Sequence, residues 1–329
     1  MPSGAFPILF VTATRIGDAV LSSGLIKRLI DEIPNARFTI VAGPAAAPLF
    51  AHVPNLDRVI VMEKRRGGGH WLELWRQVRR QHWGLVVDLR GSGLSRVLNA
   101  RKRAVGRKSP TPVHKVIEAA RVLKIEDEPA APYLFTSPEI EAQADRLTAG
   151  SGPILALGPA ANWIGKTWPL ERFSQLAMRL TRGTGALKGA RLMIVGGPGD
   201  EALARGLRDV ATGRLIDLTG KVDLLTAHAC LKRARLFIGN DSGAMHLAAA
   251  AGVPTLGLFG PSDERLYAPW GPHTAVVRGP RDFEQIRAVD PGFTQALCHM
   301  MDLPVDRVVA AAEALLAATR DKTEDGADG

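Results

Sequence analysis

Cysteine is nearly absent. Cys230 and Cys298 are the two in 329 residues, far apart and with no metal-ligand spacing around them. That excludes a disulfide-stapled scaffold and a zinc module, and it reads as reduced cytosolic thiols. Aromatic residues make up only 5% of the chain. With no zinc-finger spacing and no RNA-binding aromatic motif either, a basic nucleic-acid-binding protein is a minor alternative. Nowhere do about 18 uncharged apolar residues run together without Gly, Asn, Asp or Pro, so no membrane-spanning segment is expected. The N-terminus carries no basic n-region and passes straight into a strand-like run, which does not fit a signal peptide.

Hydrophobic residues make up 46% and charged residues 23%, the balance of a globular protein long enough for two α/β domains. The formal charge of +9 is unevenly placed: residues 1–150 hold 22 Lys and Arg against 14 Asp and Glu, the remainder 20 against 19. Between 64 and 108 there are 13 basic residues and two acidic ones, Glu73 and Asp88. Such a stretch suits phosphate-bearing partners, namely nucleic acid, anionic lipid headgroups or a phosphorylated glycolipid, although charge runs are often only a solvated face.

Apolar runs at 8–11, 38–41, 59–61 and 85–88 read as buried strands, with helical periodicity at 18–33, 71–83 and 113–123 between and after them. The second half repeats the alternation, with strands at 154–157, 192–195, 215–217, 236–238 and 255–259 and a closing Ala-rich helix at 305–318. The pattern predicts doubly wound, mainly parallel sheets. The Gly- and Pro-containing stretch at 150–153 places the boundary, giving domains 1–150 and 151–329.

The most informative stretch is 236–260, LFIGNDSGAMHLAAAAGVPTLGLFG. A buried strand runs into Gly239-Asn240-Asp241-Ser242-Gly243, then a short Ala-rich helix, then another strand. This βαβ unit aims free N–H groups outward from the carboxyl edge of a sheet, where anions bind. A tight crossover with no ligand is the plainer reading, and His246 on an Ala- and Leu-rich face is usually a satisfied core histidine. The segment 158–167 ends in Gly-Lys-Thr, but six residues separate its glycines where a phosphate loop has four. Asp18, just after the first strand, reads as a helix N-cap.

The string GNDSGAMHLAAAAGVPTLGLFGPSD resembles the donor-site signature of glycosyltransferase family 9, the lipopolysaccharide heptosyltransferases. Asp217-Leu218-Thr219-Gly220-Lys221, Lys166-Thr167-Trp168-Pro169 and the N-terminal RIGDAVLSSGLIKRL extend the match over both halves of the chain. The resemblance implies a GT-B architecture, two Rossmann-like doubly wound parallel-sheet domains facing a cleft, the first on the acceptor side and the second binding a nucleotide sugar. It implies an inverting enzyme that moves a heptose or related sugar from an ADP-sugar to a lipopolysaccharide core acceptor.

In that reading Asp18 is the base and Arg15 and Gly17 meet the acceptor. Lys166 is both donor ligand and catalytic cation, and Asn162, Asn240, Asp241, Ser242, Gly243 and His246 complete the donor site. Residues 161–164, Ala-Asn-Trp-Ile, depart from family versions that carry hydroxyl residues there. Asp200 or Glu201 is the candidate ribose-binding acid, although a helix-start acid pair is also explained by the macrodipole. No Asp-x-Asp occurs, so no metal and no cofactor beyond the nucleotide-sugar substrate is expected. The expected partners are that donor and a phosphorylated or acidic glycolipid acceptor, with no nucleic acid. A monomer is expected in the cytoplasm, with peripheral contact at the inner membrane surface. A nucleotide-sugar epimerase or hydrolase sharing the fold is the main alternative.

Overall fold

A computed structural model describes residues 4–107, 109–211, 213 and 215–319. The chain divides into two compact units at Ser137/Pro138. In the first, β1 (Phe6–Val11), β2 (Ala36–Ala42), β3 (Leu56–Val61), β4 (Trp83–Asp88) and β5 (Ala100–Val105) form a sheet in the order β3-β2-β1-β4-β5. The pairings β1–β2, β1–β4, β2–β3 and β4–β5 are all parallel. Ile8, Leu9, Phe10 and Val11 are all buried, as expected of a strand covered on both faces, where apolar residues run on without alternation.

β5 escapes the apolar pattern. Its residues Ala-Arg-Lys-Arg-Ala-Val lie on the sheet edge with the three basic side chains exposed. The helix expected at 18–33 is two helices, Ile16–Ser22 and Gly24–Glu32. At the junction Ser22 and Ser23 hydroxyls bond back to the carbonyls of Ala19 and Val20, a local competitor to the helical ladder. A Cβ at Gly24 would stand 2.2 Å from the carbonyl oxygen of Ala131, so only glycine lets the later chain pass there.

The second unit has β6 (Ile154–Gly158), β7 (Arg191–Ile194), β8 (Ile216–Asp217), β9 (Leu236–Asn240), β10 (Thr255–Phe259) and β11 (Thr274–Arg278), in the order β11-β10-β9-β6-β7-β8. Helices Leu170–Thr181 and Val305–Ala318 cover one face through a single core holding Trp168, Phe173, Leu176, Val308 and Leu316. The helix Pro138–Thr148, which the composition change near 150 assigns to the first domain, packs instead on helix Leu224–Leu231. Arg233 reaches Asp145 at 2.7 Å and Glu141 at 3.0 Å, and Lys232 reaches Glu141 at 2.8 Å. Among the described residues no helix is long and apolar enough to cross a membrane.

Candidate functional site

In the second sheet β6 and β9 are neighbours with connections leaving in opposite directions, the switch point outside which open α/β sheets bind ligands. Gly158 and Gly239 are register partners at this edge, and a Cβ on either would strike the Phe237 ring, at 2.6 and 2.7 Å. Beyond them β6 runs into the loop carrying Asn162 and Lys166, and β9 into Asp241, Ser242 and the helix Gly243–Ala250. The two loops meet. Lys166 Nζ donates to Asp241 Oδ2 at 2.6 Å, with 27% and 7% of the two side chains exposed. Ser262 Oγ donates to the same oxygen at 2.5 Å.

Asn240 stands differently from the expectation that it faces a ligand. It is fully buried; its Oδ1 accepts from the Trp168 N–H at 3.1 Å and its Nδ2 donates to the Pro159 carbonyl at 2.7 Å. Both halves of the amide hold the 159–168 loop to β9, which makes Asn240 a positioning residue. Ser242 is the extended N-cap of the eight-residue helix Gly243–Ala250, but its side chain makes no capping bond. Its buried Oγ has no hydrogen-bond partner among the described residues. With the unpaired amides of the first helical turn it forms a donor-rich edge suited to an anion. His246 is buried one turn in, and Asn162 is exposed on the opposing loop.

The two ribose candidates are occupied locally. Asp200 Oδ2 accepts from Gly197 N at 2.9 Å and Glu201 Oε1 from Gly199 N at 3.1 Å, both closing the turn after β7. The Gly199 bond holds the Glu201 carboxyl below its ordinary value.

In the first unit, Arg15 and not Asp18 takes the N-cap position of helix Ile16–Ser22, and no side-chain cap is made. The helix already begins at Ile16, ahead of the start that an Asp18 cap requires, so Asp18 sits half-buried in the first helical turn, beside Gly17, with Arg15 exposed. All three lie where β1 leaves the carboxyl edge of its sheet. Arg103, within the basic stretch, is engaged by the chain: its guanidinium donates to the carbonyls of Ser95, Leu98 and Ala100.

Ser262 escapes sequence reasoning as a site residue, although it lies in the Gly260-Pro261-Ser262-Asp263 that ends the signature. Its loop is braced from β11, where Arg278 donates to the Ser262 carbonyl at 2.9 Å and to the Gly260 carbonyl at 3.1 Å and pairs with Glu264. Among the described residues no group of three or more His, Cys, Asp or Glu could hold a metal ion.

The model of glycosyltransferase family 9 (heptosyltransferase) matches residues 88–288, which include this whole edge. The chain belongs to glycosyltransferase family 9. As a family 9 member it is a transferase. It is 27% identical to the lipooligosaccharide heptosyltransferase 2 of Haemophilus ducreyi, over 94% of this chain and 99% of that protein. The glycosyl transferase family 9 structure from Veillonella parvula matches with a TM-score of 0.77 at 22% identity, covering 97% of this chain and 99% of that one. The ADP-heptose lipopolysaccharide heptosyltransferase II of Escherichia coli matches at 0.72 and 20% identity, over 95% and 99%. These likenesses show the fold, the two parallel-sheet units of the GT-B architecture.

Proposed function

We propose that this family 9 transferase moves a heptose, or a closely related sugar, from an ADP-sugar to a phosphorylated lipopolysaccharide core acceptor in one inverting displacement. The observation that carries the reading is the Lys166–Asp241–Ser262 network beside the Ser242 helix start, a cation and a row of donors aimed from one switch-point edge. The names of the relatives, lipooligosaccharide heptosyltransferase 2 and ADP-heptose lipopolysaccharide heptosyltransferase II, supply the sugar and the nucleotide.

In the proposed step Asp18 takes the proton of the acceptor hydroxyl as its oxygen attacks the anomeric carbon, and the bond from that carbon to the diphosphate breaks. Lys166 offsets the charge that grows on the departing ADP. Ser242, Gly243, Asn162 and His246 hold the donor, with Asp241 and Asn240 fixing Lys166 and its loop. Arg15 and Gly17 serve the acceptor. The first unit is thus the acceptor side and the second the donor side, working as a monomer at the cytoplasmic face of the inner membrane.

Thermal stabilisation across ADP, UDP, GDP and their sugars tests the donor. A rise in Tm with ADP alone supports the reading, and a rise with UDP alone overturns it. Sugar released from ADP-heptose at an equal rate with and without acceptor would instead mark a hydrolase.

A further inference from the structure

The helix Gly69–Val78 lies over one face of the first sheet, between β3 and β4, and buries His70, Leu74 and Val78 beneath it. At 100° per residue, Trp71, Trp75, Arg79, Leu72 and Arg76 follow one another round the opposite arc, and Arg80 closes it. No acidic residue falls in that arc. Glu73 lies beyond it, paired with Arg65 at 2.9 Å. Leu72 is 50% exposed, Arg76, Arg79 and Arg80 are exposed, and the two indoles are half-buried at the rim of the core. Arg79 lies over Trp75 and Arg90 over Trp71, each guanidinium 4.8 Å from its ring centroid. The short helix Leu94–Val97 shares the layer, because Leu94 and Leu98 join Leu74 and Val78 in one core, and it adds exposed Arg96 and Val97, the latter 66% exposed.

We propose that this face docks on a bilayer surface rich in anionic lipid. Its composition is that of an interfacial element: indoles at the headgroup level, aliphatic side chains pointing outward, and arginines whose stems lie on apolar surface while their heads reach phosphate. The charge is complementary, since residues 64–108 carry 13 basic and two acidic side chains. Nucleic acid fits less well. A base needs an open ring to stack on, whereas both indoles are half-covered, and exposed Leu72 and Val97 gain nothing from a phosphodiester backbone. The helix begins just past the carboxyl end of β3, the edge at which Arg15 and Asp18 leave β1. A membrane along the helix therefore brings a lipid-anchored acceptor to that edge, a consequence that rests on the proposed function while the surface itself does not.

The test is co-sedimentation of the full chain with vesicles of phosphatidylglycerol and phosphatidylcholine against pure phosphatidylcholine. Binding is expected to the anionic vesicles, weakening as salt rises. Each arginine near such a surface is worth about fivefold in partitioning, so R76A/R79A/R80A is expected to lower it roughly a hundredfold, and L72E roughly tenfold or more. Transfer to a deacylated, water-soluble acceptor is expected to be unchanged in both variants, which also shows that they fold. Absence of binding to anionic vesicles at about 0.1 M salt, or binding equal in wild type and both variants, overturns the proposal. So does a face that binds single-stranded RNA, loses it in R76A/R79A/R80A, and leaves vesicle binding intact. A chain that binds vesicles as described but transfers no heptose keeps this surface and loses the proposed function.

Discussion

Replacing Lys166 by alanine removes the cation that the proposed function sets against the diphosphate, and two effects should then add. A charge-assisted hydrogen bond to phosphate is worth about 1.5–3 kcal/mol, or roughly 10- to 100-fold in Kd. Asp241, 7% exposed and 2.6 Å from Lys166, also loses its counter-charge and confronts the incoming phosphates as a bare carboxylate. K166A is therefore expected to bind ADP at least 10- to 100-fold more weakly, while AMP, which lacks the β-phosphate, should lose less. Removing the carboxylate as well should return part of the loss, so that K166A/D241N binds ADP more tightly than K166A. The coupling between the two positions should fall within the 0.5–3 kcal/mol expected of contacting residues. Titration calorimetry with ADP and AMP on the four proteins reads all of this, with thermal unfolding as the control for folding. ADP affinity within twofold of wild type in folded K166A, or a double variant worse than both singles by the full sum of their effects, would refute the reasoning.

Asn240→Ala strands the Trp168 N–H and the Pro159 carbonyl at about 1–3 kcal/mol each, so urea unfolding should report a loss of roughly 2–6 kcal/mol and a weakened donor site; a loss under about 0.5 kcal/mol would mean the loop is held elsewhere. His228 is buried, with Nδ1 3.2 Å from the Leu247 carbonyl, and burial holds its pKa down to about 4 from 6.5. The unfolded chain therefore takes up the proton first, and stability falls as pH drops from 6.5 through about 4 by an order of 3 kcal/mol. His228→Gln should flatten that limb, and an unchanged pH profile would exclude His228 as its source. Excess chelator should leave turnover intact, since Lys166 supplies the charge compensation; loss of activity restored by Mg²⁺ or Mn²⁺ would contradict this.

Central strands were legible because a parallel strand covered on both faces must be apolar throughout, as 8–11 and 236–238 are. β5 and β11 were not: both lie on sheet edges, where exposed Arg101, Lys102 and Arg103 and half-buried Thr274 and Ala275 replace the apolar run. The boundary near 150 followed glycine and proline, whereas the Arg233–Glu141 and Arg233–Asp145 pairs that tie helix Pro138–Thr148 to the second unit join residues about ninety positions apart. No local pattern records them. The donor edge was legible as a strand–turn–helix, but resemblance only assigned Lys166 and Asp241 to one site, and their direct contact across 75 positions is seen in the fold alone. Asn240 is a donor residue in the reading the resemblance implies, and only the fold shows both halves of its amide already engaged. Asp18 looked like a cap because caps and first-turn acids share a composition; the extended backbone of Arg15 assigns it to the turn.

The account stands or falls on Asp18→Asn, assayed for donor binding, stability and transfer on one preparation. Arg15 holds the N-cap position and asparagine is nearly isosteric with aspartate, so the substitution should keep the fold and change stability by about 1 kcal/mol. ADP-heptose affinity should be unchanged, because the proposed donor residues lie on the second sheet. An amide cannot take the acceptor proton, so kcat for heptose transfer should fall by about two to four orders of magnitude. Near-normal turnover in folded, donor-binding D18N would contradict the mechanism and send the search for the base elsewhere.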